Sequence, residues 1–224
     1  MSPTSRPRST RDRPAKTPLS RDAVVDAALA ILTSEGLEAV TMRRVAAALD
    51  TGPASLYVYV SGRDGLLQAM QDRAIAAIEL ETPDPDRWRA QLQSLLDRMH
   101  QALAAHPGLA VLALAKPLTT EPALLQQENL LATLLAGGLD PQDAAWAADI
   151  FAALVTHAAI EADVRRADPQ ELASQLYQLF AGLPPDRFPL TSAHAAQLVA
   201  GRSDERFHFA VDVVIDGLLA RSGR

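Results

Sequence analysis

The chain has 224 residues, 48% of them apolar, with no cysteine and a formal net charge of −6. This is enough apolar sequence for one large domain or a small head on a larger body, and the lack of cysteine excludes disulfides and thiolate metal sites. An acidic total argues against a nucleic-acid partner, but the charge is unevenly placed: residues 1–80 hold 10 Lys and Arg against 9 Asp and Glu, residues 81–224 hold 11 against 18. A near-neutral front half can still dock on phosphates.

Residues 1–18 carry four prolines and Arg6, Arg8, Arg11, Arg13 and Lys16 against a single acid, Asp12. Such a stretch is expected to be disordered. It is either an arm that touches DNA or a solubilising tail. It lacks the apolar core of a signal peptide, and no apolar run approaches the length of a membrane span. The chain is therefore expected to be soluble and cytoplasmic, with no membrane partner.

Ser20 is a good N-cap for a helix with Ala23, Val24, Ala27, Ala28, Ile31 and Leu32 on one face, ended by Gly36. Thr41 caps the next, which points Val45, Ala46 and Leu49 inward. The chain turns at Asp50-Thr51-Gly52-Pro53, with proline where a first-turn proline is tolerated, and a short helix runs to about Val60. Ser61-Gly-Arg-Asp64 has the form of a capping box, opening a longer helix marked by Leu66, Leu67, Met70, Ala74 and Ile78. Thr82-Pro-Asp-Pro85 breaks it. The expected domains are a basic arm over 1–18, a helix-turn-helix head with its linking helix over 19–80, and a larger body over 86–224.

Beyond the break every periodic segment reads as helix. These are Arg87–Ala105, Leu109–Ala115, Pro122–Ala136, Pro141–Arg166, Pro169–Ala181 and Asp204–Ala220, with a Pro-containing loop over 183–202 and a short helix near Ala193–Val199. The class is all-α: a three-helix head and a larger helical body. Pro141–Arg166 and Asp204–Ala220 are too apolar for a monomer surface, so they are expected to be buried on several sides or to meet their copies across a two-fold axis. His157 is expected inside, and His208 at an interface or on the surface.

The residues near the start of the short helix, Thr51, Gly52, Pro53, Ala54 and Ser55, are those that reach base edges when a helix enters the major groove. Gly and Ala allow close approach, Ser55 can donate or accept, and Ala54 or the Pro53 ring can pack on a thymine methyl. No Arg, Asn or Gln lies in this helix, so specificity must draw on Arg43 or Arg44 before it and on DNA shape. The Tyr57 and Tyr59 hydroxyls can each bond a phosphate, and Thr41 and the helix start at Arg63 offer further phosphate contacts.

Thr41-x-Arg43, Val45-Ala46, Leu49, Leu56-Tyr57-x-Tyr59, Arg63-Asp64 and Leu66-Leu67 together resemble the N-terminal domain of the TetR family of one-component transcriptional regulators. Two positions depart from the family pattern. Asp50 replaces the usual turn glycine, and aspartate tolerates left-handed backbone better than most residues; Val60 replaces an aromatic. The resemblance implies an all-helical C-terminal domain with a four-helix dimer interface and an inducer pocket. The rear half is similar to the tetracycline-repressor branch, through the Trp88 region, Gly108 to Lys116-Pro117 and the loop before the last helix. That resemblance places Leu95, Met99, Leu112, Ala115 and Glu128 at drug-contacting positions. With Leu95, Leu112 and Ala115 replacing the branch's polar and magnesium-binding residues, a hydrated magnesium chelate would be desolvated without compensation. An apolar or aromatic effector, held by polar groups such as His100, Lys116 or Glu128, fits better.

No phosphate loop, nucleophile elbow, paired carboxylates or metal cluster stands out, so neither an enzyme nor a cofactor is expected. The expected function is a homodimeric repressor released from a palindromic double-stranded operator by a small molecule. The alternative is a ligand-independent DNA-binding protein whose rear domain only dimerises.

Overall fold

The computed structural model describes residues 18–115, 119–165 and 169–223, and among them there is helix and turn but no strand. The basic arm, apart from Pro18, lies outside the described residues. Helix α1 (Arg21–Glu35) starts where the Ser20 hydroxyl accepts from the Ala23 amide at 3.1 Å. A 3-10 turn (Leu37–Ala39) leads to α2 (Met42–Ala48), capped by Thr41, whose hydroxyl oxygen accepts from the Arg44 amide at 3.1 Å. Helix α3 is only Pro53–Leu56, shorter than the sequence suggests; irregular turns carry the chain on to Val60. Helix α4 (Arg63–Ala76) has Gly62 as its N-cap, at φ 96°, and no side-chain cap bond. The N-cap is thus Gly62 and not Ser61, where the sequence places the capping box, and the left-handed glycine sets the entry angle.

The body comprises α5 (Trp88–Ala104), α6 (Leu109–Ala115), α7 (Glu121–Ala136), α8 (Pro141–Arg165), α9 (Pro169–Ala181), α10 (Pro189–Ala193), α11 (Ala195–Val199) and α12 (Ser203–Arg221). The stretch before the last helix holds the short helix expected near Ala193–Val199, as α11, and a second one, α10, where a loop is expected; both pack mainly on α9. Helix α8 is the central post, packed on α5, α6, α7 and α12. Its segment Pro141–Val164 is long and apolar enough to cross a membrane on length and composition, which corrects the expectation that no run comes near span length. Its inner stripe of Ala144, Ala147, Ala148, Phe151, Val155 and Ala158 is instead spent on the body core.

Two cores result. The first gathers α1, α2, α3 and α4 around Val24, Leu32, Val45, Leu56, Leu66 and Met70. The second gathers α5, α7, α8 and α12 around Leu92, Leu95, Leu96, Leu130, Phe151 and Ile215. Leu103 packs against both. At the edge of the second core the Trp88 ring lies so close to Gly137 that an added Cβ would sit 2.5 Å from it. Gly137→Ala is expected to lower stability by about 1–3 kcal/mol through overpacking, read as a lower urea midpoint at unchanged slope. An unchanged midpoint would show that Trp88 moves aside freely.

Candidate nucleic-acid interface and internal cavity

The turn between α2 and α3 is built for an exposed, rigid α3. Asp50 takes φ 49°, the left-handed backbone that its position demands. The Thr51 amide donates to the Ala46 carbonyl at 2.9 Å, and Pro53 opens α3 with its φ already helical. Leu56 and Val60 are buried beneath, anchoring the segment to the first core. Above that anchor Gly52, Pro53, Ala54, Ser55 and Tyr57 are exposed, and Thr51 is half-buried. Arg43, on the packed neighbour α2, is exposed as well. Tyr57 is 60% exposed, so its hydroxyl faces water.

Three residues grouped with these in the sequence are spent on internal bonds. The Tyr59 hydroxyl donates to the Leu19 carbonyl at 2.8 Å, so its proton is not available to a phosphate. The Arg63 guanidinium donates through Nε to the Val40 carbonyl at 2.9 Å and through Nη2 to the Leu37 carbonyl at 3.1 Å, tying α4 to the turn before α2. Arg44 is paired with Glu35, and its hydrogen bonds hold that carboxyl below the usual carboxylate range. Thr41 is exposed, and although its oxygen accepts as the cap of α2, its hydroxyl can still donate to a phosphate. The two tyrosines should therefore separate cleanly. Tyr57→Phe is expected to weaken DNA binding several-fold at unchanged melting temperature, whereas Tyr59→Phe costs about 1 kcal/mol of stability from the lost hydrogen bond. Gel shift and thermal denaturation of both variants read the split, and matching behaviour would refute it.

Between α4 and the helices of the body is a cavity of about 390 Å³. Helix α4 contributes Gln71, Ala74 and Ile75, α5 contributes Met99, Ala102 and Leu103, α7 contributes Ala123, Gln126, Gln127 and Leu130, and α8 contributes Asp149, Ala152, Val155 and Thr156. Its wall is apolar with a few polar groups, the usual make-up of a small-molecule site. Of the residues assigned to a ligand from sequence, only Met99 lines it. Leu95 is fully buried in the second core. His100 stacks on Phe207 with ring centroids 5.2 Å apart. Glu128 is exposed, Leu112 packs on the first core, and Lys116 lies outside the described residues. Sequence reading missed Gln71, Gln126, Gln127 and Thr156; the one signal for Gln71 was a polar residue on the apolar stripe that Ala74 and Ile78 continue. Among the described residues no group of three or more His, Asp or Glu could hold a metal ion.

Residues 82–222 match the family model described as tetracyclin repressor-like, C-terminal domain, and residues 24–70 match that of bacterial regulatory proteins, tetR family. The chain belongs to the TetR family. It is a transcriptional regulator and not an enzyme. Among its relatives this TetR-family chain is 32% identical to the HTH-type transcriptional repressor DrrR1 of Streptomyces coeruleorubidus, over 92% of this chain and 80% of that one. It is 28% identical to the class C tetracycline repressor protein of Escherichia coli, over 89% and 90% of the two chains. Among solved structures, ActR of Streptomyces coelicolor in complex with actinorhodin superposes with a TM-score of 0.83 at 35% identity, covering 91% of this chain and 96% of that one.

In this TetR-family chain the head and the body are joined by more than the linking segment. Leu109, at the start of α6, is fully buried in the head's core, with Leu112 packed beside it. The Gly108 amide just before donates to Asp163 of α8 at 2.7 Å. Asp72 of α4 accepts from the Thr120 hydroxyl at 2.7 Å and lies 3.9 Å from Arg21 of α1. Burial without compensation pushes the His106 imidazole below its ordinary pKa, at the turn between α5 and α6.

Proposed function

We propose that the chain is a homodimeric repressor whose two heads hold a palindromic operator and leave it when a small molecule fills the body cavity. The observation that carries this reading is that α4 serves both parts: its Leu66 and Met70 are in the head core, and its Gln71, Ala74 and Ile75 wall the cavity. A ligand that alters the seating of α4 alters the separation of the recognition helices, by no more than its differential affinity for the two arrangements. Residues 19–80 act as the head and 86–224 as the body, in the cytoplasm. Base edges are read by Gly52, Pro53, Ala54 and Ser55 with Arg43 alongside, while Tyr57 and Thr41 position the head on phosphates.

The dimer reading rests on outward apolar stripes. Helix α8 exposes Trp146, Ile150 and Val164, and α12, packed on it, exposes Phe209 and Val213. His157, expected inside, lies exposed on α8 as well. Exposed apolar patches of this kind mark association surfaces. The effector has an apolar or aromatic body with a few hydrogen-bonding substituents, matching the wall. The bound actinorhodin of ActR makes that compound a reasonable first probe.

Gel shift on the intergenic DNA upstream of the chain's own gene, with and without actinorhodin and a panel of aromatic compounds, tests the proposal. Two protomers per operator and release by a compound that also raises the melting temperature are expected. A compound that raises the melting temperature and leaves the operator complex intact would sink the induction mechanism.

A further inference from the structure

Gln71 is 5% exposed, lines the cavity, and its side-chain Nε2 is buried without a hydrogen-bond partner. A buried amide N–H that bonds nothing costs stability, and methionine or leucine at the same place would remove that cost. Its neighbours on the same face of α4, Ala74 and Ile75, and Ile78 just past the end of the helix also line the cavity and carry no polar atom in their side chains. The one donor that α4 contributes to the cavity wall therefore points to something that arrives in the cavity. We infer that Gln71 reads the effector: its carboxamide N–H donates to a carbonyl-type oxygen, such as that of a quinone or ketone, on the molecule that fills the cavity.

The inference rests on the proposed function and names the group that this site selects for. An anionic acceptor would be desolvated here without a compensating charge, so the site favours a neutral carbonyl oxygen, and the apolar wall favours a flat or compact hydrocarbon body behind it. A hydrocarbon of the same outline leaves the donor orphaned in the complex as in the free protein, so it gains nothing from Gln71. The next residue in the chain gives the contact a consequence. Asp72 is bonded to Thr120 at the head of α7 and lies beside Arg21 of α1. An acceptor held by Gln71 is therefore fixed one residue from the point where α4 meets both the head and the body.

The test uses two probes of matched outline, 1,4-naphthoquinone and naphthalene, titrated calorimetrically into the full-length protein. The chain has no cysteine, so the quinone meets no thiol. Wild type is expected to favour the quinone by about fivefold to tenfold, and Gln71→Met to lose that preference while binding naphthalene no worse. Ala152→Phe, which fills the cavity from α8, is expected to abolish binding of both. Binding of neither probe by wild type, or unimpaired binding by Ala152→Phe, would overturn the effector-cavity reading and this inference with it. Loss of both probes in Ala152→Phe with an undiminished quinone preference in Gln71→Met would overturn the inference alone. Ligand-free melting is the independent arm: Gln71→Met should melt at or above wild type, and a lower melting temperature would mean that the amide is already satisfied.

Discussion

Ala54→Glu protein is expected to lose operator affinity by about two orders of magnitude or more, through charge repulsion and lost fit in the groove, and to melt with wild type. Ala54 is exposed in the middle of a four-residue α3 whose hold on the head comes from Leu56 and Val60 beneath it. Adding a carboxylate there disturbs no core contact. On DNA it places a negative charge between phosphate-lined walls, where the alanine methyl allowed close approach, and the charge would be desolvated without a partner. Gel shift and differential scanning fluorimetry on the same preparation read the two quantities. Retained binding would mean that α3 does not enter the groove, and the recognition surface would have to be sought elsewhere on the head.

The second large effect is expected at Phe209→Asp. Phe209 is 71% exposed, and its helix buries Phe207, Val211 and Ile215 on the other side. The substitution therefore removes an outward aromatic without touching the body core. Aromatic anchors of this kind dominate association energies, typically by about 2–4 kcal/mol each. The variant should elute as a monomer at micromolar concentration in light-scattering chromatography. Its operator affinity should fall by about a hundredfold or more, because one head reaches only one half-site and the linkage gain is lost. A dimer of wild-type stability would place the two-fold contact away from α12.

What the sequence made legible was local. Ser20 and Thr41 cap α1 and α2 as their side-chain chemistry requires, and Asp50 takes the left-handed turn that a missing glycine left to it. Helix starts are well marked because caps and first-turn prolines act within three or four residues. The end of α3 was less legible, since no local breaker follows Leu56 and the chain goes on in irregular turns to Val60. Contacts distant in the chain were not legible at all. Nothing near Tyr59 announces that Leu19, 40 residues earlier, takes its proton. Likewise Arg44 and Glu35 are nine apart on different helices, and only packing brings them together. The cavity failed for a related reason. Carrying ligand positions across by resemblance assumes that side chains keep their facing, whereas Leu95 and Leu112 turn into cores on either side of the space.

That Leu109 completes the core of the head bears on anyone recombining such regulators. A cut at the Thr82–Pro85 break looks natural, because the DNA-reading helices all lie before it. A head excised there would leave an unfilled hollow beneath α1 and α4, and a head grafted to a foreign body would have to accept whatever side chain that body offers. Chimeric biosensors built from this chain should therefore carry His106–Leu112 with the head, or match Leu109 in volume, if the graft is to fold as tightly as its parent.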